Sequence, residues 1–303
     1  MLNIIKRKIT KYFKEKKQRD RNIKNIKKII NEHIAIQHFN QLSLNSDRLL
    51  TTQTKYDDHD IILSFTTYNK RIHDIHLVLE SIANQTVKPN KVTLWLDEDE
   101  FCIDTIPIAV KNYINRGLEI NFCANYRSYK KIIPTLIKYP NSHIITIDDD
   151  IIYPHDMIEQ LVVEHNNNPN LIIGHRGHKI KFTGSSVSPY KQWEKNINDS
   201  HPSHDILLTG CGGIFYPFNS LDKEVTNIDN FMSLCPNADD IWLKLMALKA
   251  NTKNKLVCTG QNYDNRFISI NLSQDIGLNK SNVDHNHNDS QLKDTMEYYK
   301  MHF

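Results

Sequence analysis

The chain has 303 residues, of which 39% are hydrophobic, 24% are charged and only 9 are glycine. This length and composition suit one large α/β domain or two smaller ones, and they exclude collagen-like and glycine-rich repeat architectures. The sequence contains no G-x-G-x-x-G, G-x-x-x-x-G-K-[ST], H-E-x-x-H or G-x-S-x-G motif. It therefore disfavours dinucleotide dehydrogenases, P-loop NTPases, zincins and serine hydrolases with a nucleophile elbow.

Charge is distributed unevenly along the chain. Residues 1–30 contain twelve Lys or Arg residues and only two acidic ones. The rest of the chain contains 26 basic and 33 acidic residues, a net charge of −7. A mildly acidic body disfavours nucleic acid as a partner and polyanions as substrates.

The five cysteines are widely spaced and form no C-x-x-C motif, which predicts reduced thiols rather than a disulfide framework. No run of 18 apolar residues is present, and the basic N-terminal segment lacks the uninterrupted apolar core of a signal peptide. We therefore expect a cytoplasmic protein.

Residues 1–40 predict a basic amphipathic helix, because isoleucines such as Ile23, Ile26, Ile30 and Ile34 recur at near-helical spacing among lysines. A helix of this kind could lie on an anionic membrane surface, or it could dock its isoleucine stripe on the protein's own body. Residues 41–59 are polar and predict a linker. The predicted organisation is thus an arm and linker over 1–59 and one domain over 60–303.

From Asp60 onward, apolar runs alternate with helical patterns. The apolar runs predict buried strands at 61–66, 91–96, 118–123 and 143–147. The segments 71–84 and 128–138 predict helices, the second one broken by Pro134. This alternation predicts an α/β fold with a mostly parallel central sheet flanked by helices, in which ligands bind beyond the carboxyl ends of the strands.

Three consecutive aspartates, Asp148, Asp149 and Asp150, directly follow the fourth predicted strand. Their carboxylates repel one another unless a cation neutralises them, and carboxylate oxygens select Mg²⁺ or Mn²⁺. The alternative is an acidic turn that caps the next helix, because aspartate is favoured at helix N-termini. The triplet favours a divalent-metal site.

A second acidic pair, Asp239 and Asp240, precedes the amphipathic stretch 241–246. One aspartate could simply cap this helix. The other would then be a spare carboxylate near the helix N-terminus, where the dipole keeps it ionised and available as a general base. The pattern leaves both interpretations open.

Two further features are candidates for the same site. Three of the nine glycines, Gly210, Gly212 and Gly213, lie within four positions, which indicates either close approach of the backbone to a ligand or a bulge. Near the C-terminus, His285 could join carboxylates around a transition metal such as Mn²⁺, or it could be an exposed loop histidine.

Together these segments resemble bacterial GT-A glycosyltransferases of the family-2-like kind that build capsule, O-antigen or lipooligosaccharide. The matching stretches are IILSFTTYNKRI (61–72), SIANQTVKPNKVTLWLDEDEF (81–101), SYKKIIPTLIKYP (128–140), IITIDDDIIYP (144–154), TGCGGIFYP (209–217) and CPNADDIWLK (235–244). The D-x-D-type acidic cluster, followed about ninety residues later by an acidic pair that opens a helix, is the most specific part of the pattern.

The resemblance implies where the donor nucleotide binds. The residues expected beside the nucleotide and its diphosphate are Thr67, Tyr68, Arg71, Asp97, Lys130, Asp148 and Asp149. Gly212 and Gly213 would line the pocket for the donor sugar and the acceptor.

The resemblance also implies the catalytic and metal-binding roles. Asp240 would be the catalytic base with Asp239 beside it, and Asp148 and Asp150 would hold the metal. The chain departs from the family in having Asp239 where the pair begins with glutamate, and in lacking a Gln-x-x-Arg-Trp segment. A single transfer is therefore expected rather than processive synthesis.

The resulting hypothesis is a hexosyltransferase that uses Mn²⁺ or Mg²⁺ to move a sugar from a nucleotide sugar, with a UDP-sugar expected, to a glycan or lipid-linked acceptor with inversion. The basic arm would hold it on the inner face of the cell membrane. Two rival classes are a metal-dependent phosphotransferase or nuclease, and a non-catalytic carbohydrate-binding protein.

Overall fold

The computed structural model describes residues 2–270 and 287–303, with side chains described from residue 11 onward. A long helix, α1 (Leu2–Asn45), precedes an α/β body. The body begins with β1 (Ile61–Thr66), α2 (Ile75–Ala83), β2 (Lys91–Asp97), α3 (Ile108–Lys111), β3 (Leu118–Cys123), α4 (Ile133–Lys138) and β4 (His143–Thr146).

The second half of the body contains shorter elements. These are β5 (Ile151–Ile152), α5 (Met157–Asn167), β6 (Ile172–Gly174), β7 (Gly177–Lys179), β8 (Phe182–Thr183), β9 (Ser186–Val187), β10 (Ile206–Leu208) and β11 (Ile214–Tyr216). They are followed by α6 (Ile228–Leu234), α7 (Asp239–Lys249), β12 (Asn254–Leu256), α8 (Tyr263–Arg266), β13 (Ile268–Ser269) and α9 (His287–Tyr299).

The central sheet has seven strands in the order β12-β6-β11-β4-β1-β2-β3. Every neighbouring pair is parallel except the two made by β11, which runs antiparallel to both β4 and β6. The predicted mostly parallel sheet flanked by helices is confirmed. The four strands predicted from apolar runs are present with bounds that differ by no more than one residue at either end.

Alternate residues of the central strands face two separate cores. Ile145 of β4 packs in the core that contains α2 and α5, whereas its neighbour Ile144 packs in the core that contains Trp242 of α7. This two-sided burial explains why the strands are continuous apolar runs rather than alternating patterns. Because β4, β1 and β2 are parallel, the polar residues that follow these strands emerge at one edge of the sheet.

Two helix boundaries differ from the sequence prediction. The segment predicted as a helix over 71–84 forms a 3₁₀ turn, Asn69–His73, followed by α2. The segment 128–138 forms a 3₁₀ turn, Arg127–Lys131, followed by α4, with Pro134 in the first turn of that helix. Proline is tolerated there because the first backbone N–H groups of a helix have no partner within it. Pro134 therefore starts a helix rather than breaking one.

Helix α1 continues to Asn45, five residues beyond its predicted end. Ala35, Ile36 and Phe39 near its C-terminal end pack against the core of the body. The isoleucine stripe does not dock: Ile23, Ile26, Ile30 and Ile34 are all exposed. The helix thus contacts the body through residues near its C-terminal end, and not through the isoleucine stripe as one of the two interpretations predicted.

The polar segment between α1 and β1 also contacts the body. Leu50 is fully buried, and its backbone N–H donates to the carbonyl of Arg116 at 2.8 Å. Arg116 in turn forms a buried ion pair with Glu80 of α2. Of the helices described, none is both long and apolar enough to cross a membrane. The boundary at residues 59/60 stays a prediction.

Candidate active site

The candidate site lies where parallel strands end. Thr67 follows β1, Asp97 is the last residue of β2, and the triplet Asp148–Asp150 follows β4. Helix α7 begins at Asp239 and brings its first two residues to the same edge. The parallel register of β4, β1 and β2 is what gathers side chains that are distant in sequence.

Asp149, the middle residue of the triplet, is held by two donors. Its Oδ1 accepts a hydrogen bond from Arg71 Nη1 at 2.7 Å, and its Oδ2 accepts one from Thr67 Oγ1 at 2.7 Å. Arg71 also places Nη2 3.2 Å from Oδ2 of Asp150, and its guanidinium lies 5.0 Å from the ring centroid of Tyr68. Asp149 therefore fixes the turn after β4, and Arg71 partly neutralises the triplet.

Lys131 ties the triplet to helix α7. Its Nζ lies 3.0 Å from Oδ1 of Asp148 and 2.9 Å from Oδ2 of Asp239, and the residue is 7% exposed. Burial alone would lower the pKa of Lys131, but the carboxylates of Asp148, Asp239 and Asp240 raise it well above its usual value. Lys131 is thus a permanent positive charge among three carboxylates.

Asp240 combines partial exposure with an elevated pKa. The backbone N–H of Gly210 donates to its Oδ1 at 3.2 Å. Burial of much of its carboxyl group, together with the charge of Asp239, raises the pKa of Asp240 to about 7. Part of its surface still faces solvent. A carboxyl group with these properties can accept a proton from a bound hydroxyl near neutral pH.

Asp148 and Asp150 keep free coordination capacity. In the part of the chain that the structure describes, no side chain donates to Oδ2 of Asp148 or to Oδ1 of Asp150. Burial, and after it the charges of Asp148 and Asp149, raise the pKa of Asp150 to about 7, although Arg71 acts in the opposite direction. Carboxylate oxygens are the ligands that hard divalent cations such as Mg²⁺ or Mn²⁺ prefer, so Asp148 and Asp150 have the donor chemistry for such an ion.

The two lysines of the Lys130–Lys131 pair have different partners. Lys130 Nζ lies 3.5 Å from Oδ2 of Asp97, and both residues are buried. The lysine pair is a candidate for neutralising a diphosphate, and the resemblance assigns that role to Lys130, but Lys131 is the lysine that contacts Asp148 and Asp239. The pair was visible in the sequence, but only the 3₁₀ geometry of residues 127–131 decides which lysine faces which carboxylate. The diphosphate role of Lys130 stays a prediction.

The glycines of residues 210–213 are also placed differently from one another. A Cβ atom at Gly210 would lie 2.6 Å from Lys131 Nζ and 3.2 Å from Oδ1 of Asp148, so a side chain there would push the Lys131 ammonium group away from its present position. Gly212 instead allows close approach of Arg176, and Gly213, with φ of +79°, faces Met157. The sequence singled out all three, but Gly210 is the one that contacts the acidic cluster.

The remaining candidate, His285, lies outside the described residues. A different histidine cluster occurs at the amino end of β4, away from the aspartate triplet. Ligand atoms of Asp57, His143 and His165 lie within 4.8 Å of one another. This is the spacing of a possible metal site.

Hydrogen bonding argues against a metal in that second cluster. The backbone N–H of Phe218 donates to His143 Nδ1 at 2.9 Å, so Nε2 carries the proton and donates to Oδ2 of Asp57 at 2.6 Å. A metal-binding histidine needs the opposite arrangement, with its other nitrogen donating to an acceptor. His165 Nε2 lies 3.3 Å from the same oxygen. The cluster is best described as an aspartate shared by two histidines.

No family model matches the chain, and no curated protein matches it. Among solved structures it is similar to residues 1–349 of Staphylococcus aureus TarS. The complex of TarS with UDP is 14% identical, with a TM-score of 0.42, over 66% of this chain and 58% of that one. TarS without UDP is 16% identical, with a TM-score of 0.41, over 66% and 57%. The match thus spans less than two thirds of the TarS chain, and at this level it carries no functional argument.

Proposed function

We propose that the protein is a metal-dependent glycosyltransferase of the GT-A type. It would transfer a sugar from a nucleotide sugar, with UDP as the expected nucleotide, to a hydroxyl of a glycan or lipid-linked glycan in surface polysaccharide synthesis. The observation that carries the proposal is the pairing of Asp240, whose pKa is raised to about 7, with the carboxylates that follow β4. Lys131 contacts Asp148 of that group and Asp239, the residue that precedes Asp240.

The donor would bind at the carboxyl ends of β1 and β2. Thr67 and Arg71 hold Asp149 in place there, and Tyr68 offers an aromatic face beside the guanidinium of Arg71. Asp97, the last residue of β2, would lie on the nucleoside side of this site. Asp148 and Asp150 would hold the Mn²⁺ or Mg²⁺, which would neutralise charge on the diphosphate leaving group.

The transfer would use Asp240 as the base. The acceptor hydroxyl attacks the anomeric carbon and gives its proton to Asp240, while the bond from that carbon to the diphosphate oxygen breaks and the nucleoside diphosphate leaves. Attack opposite to the leaving group inverts the anomeric configuration. Gly210 holds Asp240 through its N–H, and the charge of Lys131 stabilises the carboxylates around the reacting groups.

Helix α1 would place the enzyme on the anionic inner face of a membrane. Tyr12, Phe13, Ile23 and Ile26 are exposed on a helix that also carries most of the basic residues of the first thirty positions. Apolar side chains among lysines are the composition of a helix that lies in the membrane interface. This location would suit a lipid-linked acceptor.

A screen for nucleotide release tests the proposal. The full chain is incubated with individual UDP-, GDP- and CDP-sugars in Mn²⁺ or in EDTA, and the free nucleoside diphosphate is measured. We expect nucleoside diphosphate to be released from one class of donor, and only in the presence of the metal. Release of inorganic phosphate or cleavage of nucleic acid would instead indicate the phosphotransferase or nuclease class. Glycan binding without nucleotide release from any donor would indicate a carbohydrate-binding protein.

A further inference from the structure

A polar pocket of about 290 Å³ lies beside the candidate active site. Its walls come from residues 196–198, from the segment 257–264, and from the junction between β6 and β7. Asn196, Asn198 and Gln261 supply side-chain amides, and Tyr263 and Phe267 stack at 4.4 Å between ring centroids. Amides beside aromatic rings are suited to a sugar, whose hydroxyls need hydrogen bonds and whose C–H faces need apolar contact.

Arg176 is the distinctive charged residue of this pocket. Its Nη1 donates to Thr209 Oγ1 at 2.9 Å and contacts Cys211 Sγ at 3.4 Å, and its guanidinium lies 5.4 Å from the Tyr263 ring centroid. Within residues 2–270 and 287–303, no carboxylate forms an ion pair with Arg176. The other arginine of the pocket, Arg266, is paired with Asp156. A partly buried guanidinium without a carboxylate partner is available to bind an anion.

The surroundings of Arg176 are positively charged. Lys195 lies nearby with its Nζ 3.3 Å from the ring centroid of Tyr190. Burial and the charge of Arg176 lower the pKa of Lys195 to about 8, although Asp289 acts in the opposite direction. Burial and the same two cations lower the pKa of His178 to about 3. Asp264 is the acidic residue in the pocket wall, and it lies on the exposed surface of α8.

The pocket adjoins the proposed base. Gly210, whose N–H binds Asp240, is followed directly by Cys211, which contacts Arg176. A Cβ atom at Gly212 would lie 2.9 Å from the Cβ and N atoms of Arg176, so glycine is needed for the arginine to approach. One short loop therefore holds both the base and the cation.

The position of the pocket separates it from the proposed donor site. The donor residues follow β1, β2 and β4, whereas Arg176 follows β6, which is separated from β4 by β11 in the sheet. We propose that this pocket binds the acceptor, and that the acceptor carries an anionic group, a phosphate or a carboxylate, which Arg176 recognises. This inference rests on the proposed glycosyltransferase function, because it names the second substrate of that reaction.

Calorimetry with simple sugars tests the inference. The full chain is titrated with glucose 6-phosphate, glucuronate and glucose, both alone and with UDP and Mn²⁺ at saturation. We expect at least one anionic sugar to bind about tenfold or more tightly than glucose, as a charge-assisted contact provides. The two anionic probes distinguish a phosphate from a carboxylate.

Three variants make the test specific. R176Q should lower affinity for the anionic sugar about tenfold and change affinity for UDP less than twofold. N198D places a negative charge at an exposed position of the pocket wall and should weaken binding of the anionic sugar. This variant tests the inference even if R176Q fails to fold. K191Q, an exposed lysine outside the pocket lining, is the matched control and should change neither.

The contrary outcomes are distinct. Anionic sugars that bind no better than glucose would overturn the inference. Loss of UDP and sugar binding together in R176Q would assign Arg176 to the donor diphosphate and also overturn it. Absence of UDP binding in the wild type would count against the proposed function, whereas the titrations without UDP would still test the anion pocket.

Discussion

The Nζ atom of Lys131 lies 2.9 Å from Oδ2 of Asp239, and this buried contact joins the 3₁₀ turn before α4 to the first residue of α7. Lys131 also contacts Asp148, so it is the cation that keeps the strand-end acids and the helix acids within one site. Removal of a buried charge leaves its partners uncompensated, which is more costly than loss of an exposed pair.

Lys131→Met should therefore lower the free energy of unfolding by about 3 kcal/mol, as expected for one partner of a buried ion pair. Lys138→Met is the control, because Lys138 is exposed and pairs with Glu119 at 3.1 Å. That exposed pair should contribute less than about 1 kcal/mol. Urea unfolding at pH 7 checks both variants. Equal losses would show that Lys131 has no special role.

Asp148→Ala and Asp150→Ala should abolish metal-dependent nucleotide release and leave the fold intact, because each residue has one carboxylate oxygen to which no side chain of residues 11–270 or 287–303 donates. Asp149→Ala should instead reduce stability, since it removes the acceptor of Arg71 Nη1 and Thr67 Oγ1. Release assays in Mn²⁺ and in EDTA, together with thermal unfolding, separate the two effects. Full activity of the first two variants in EDTA would rule out the metal assignment.

The cluster of Asp57, His143 and His165 should make the protein sensitive to acid. Burial lowers the pKa of His143 and of His165, with Asp57 and the neighbouring His59 as the other charged or titratable groups. Burial alone would raise the pKa of Asp57, but the His59 backbone N–H and His143 hold this pKa below its usual value. The unfolded chain, with histidine pKa values of about 6.5, binds more protons than the native one.

The lowered pKa values of these groups decide how the stability of the protein depends on pH. Stability is complete above about pH 6.5 and falls as pH decreases toward the folded-state pKa values of the histidines. The free energy of unfolding of the wild type should be lower at pH 5.5 than at pH 7.5. This difference should be smaller in His143→Gln and the same as in the wild type in the exposed control His155→Gln. If His143→Gln keeps the full loss, the acid sensitivity arises elsewhere.

The fold was largely predictable because the central strands are buried on both faces. The residues of β1 and β4 are mostly apolar and buried, so the positions of these strands follow from composition. The edge strand β3 instead alternates apolar residues with Glu119 and Asn121 and is only partly buried. The reversed strand β11 could not be predicted, because its three residues carry no signal of direction. The isoleucine stripe of α1 was identified correctly as a feature, but the face that docks consists of Ala35, Ile36 and Phe39.

The site was predictable only by residue type. The acids Asp148, Asp150 and Asp240 stand out because consecutive carboxylates repel one another unless a cation neutralises them. Lys131 could not be chosen over Lys130 without the local backbone geometry. Arg176 was not predicted, because one arginine between two short strands has no distinguishing spacing in the sequence. Its position in the pocket depends on contacts with Thr209 and Cys211, which are more than thirty residues away.

The basic arm should bind anionic vesicles through α1. Each lysine near such a surface contributes about 1 kcal/mol. Replacing four exposed arm lysines by glutamine should therefore reduce partitioning about a thousandfold at low salt. The arm variant changes Lys16, Lys17, Lys24 and Lys27. The matched control changes four exposed lysines of the body, Lys181, Lys191, Lys253 and Lys300.

Vesicle sedimentation measures the difference, and salt should release the wild type because the attraction is screened within a Debye length. The full chain is used because Ala35, Ile36 and Phe39 of α1 belong to the packed body. Equal partitioning of the arm variant and the control variant would show that α1 serves another purpose.

The central claim is that Asp240 removes the acceptor proton. The most direct test compares Asp240→Asn with Asp294→Asn, an exposed aspartate of α9, in two measurements: turnover at saturating donor and affinity for UDP. Loss of a general base acts on the transition state, so Asp240→Asn should lower kcat about 10²- to 10⁴-fold while UDP affinity stays within twofold of wild type. Asp294→Asn should change neither quantity. Normal kcat in Asp240→Asn with weakened UDP binding would contradict the account and make Asp240 a binding residue.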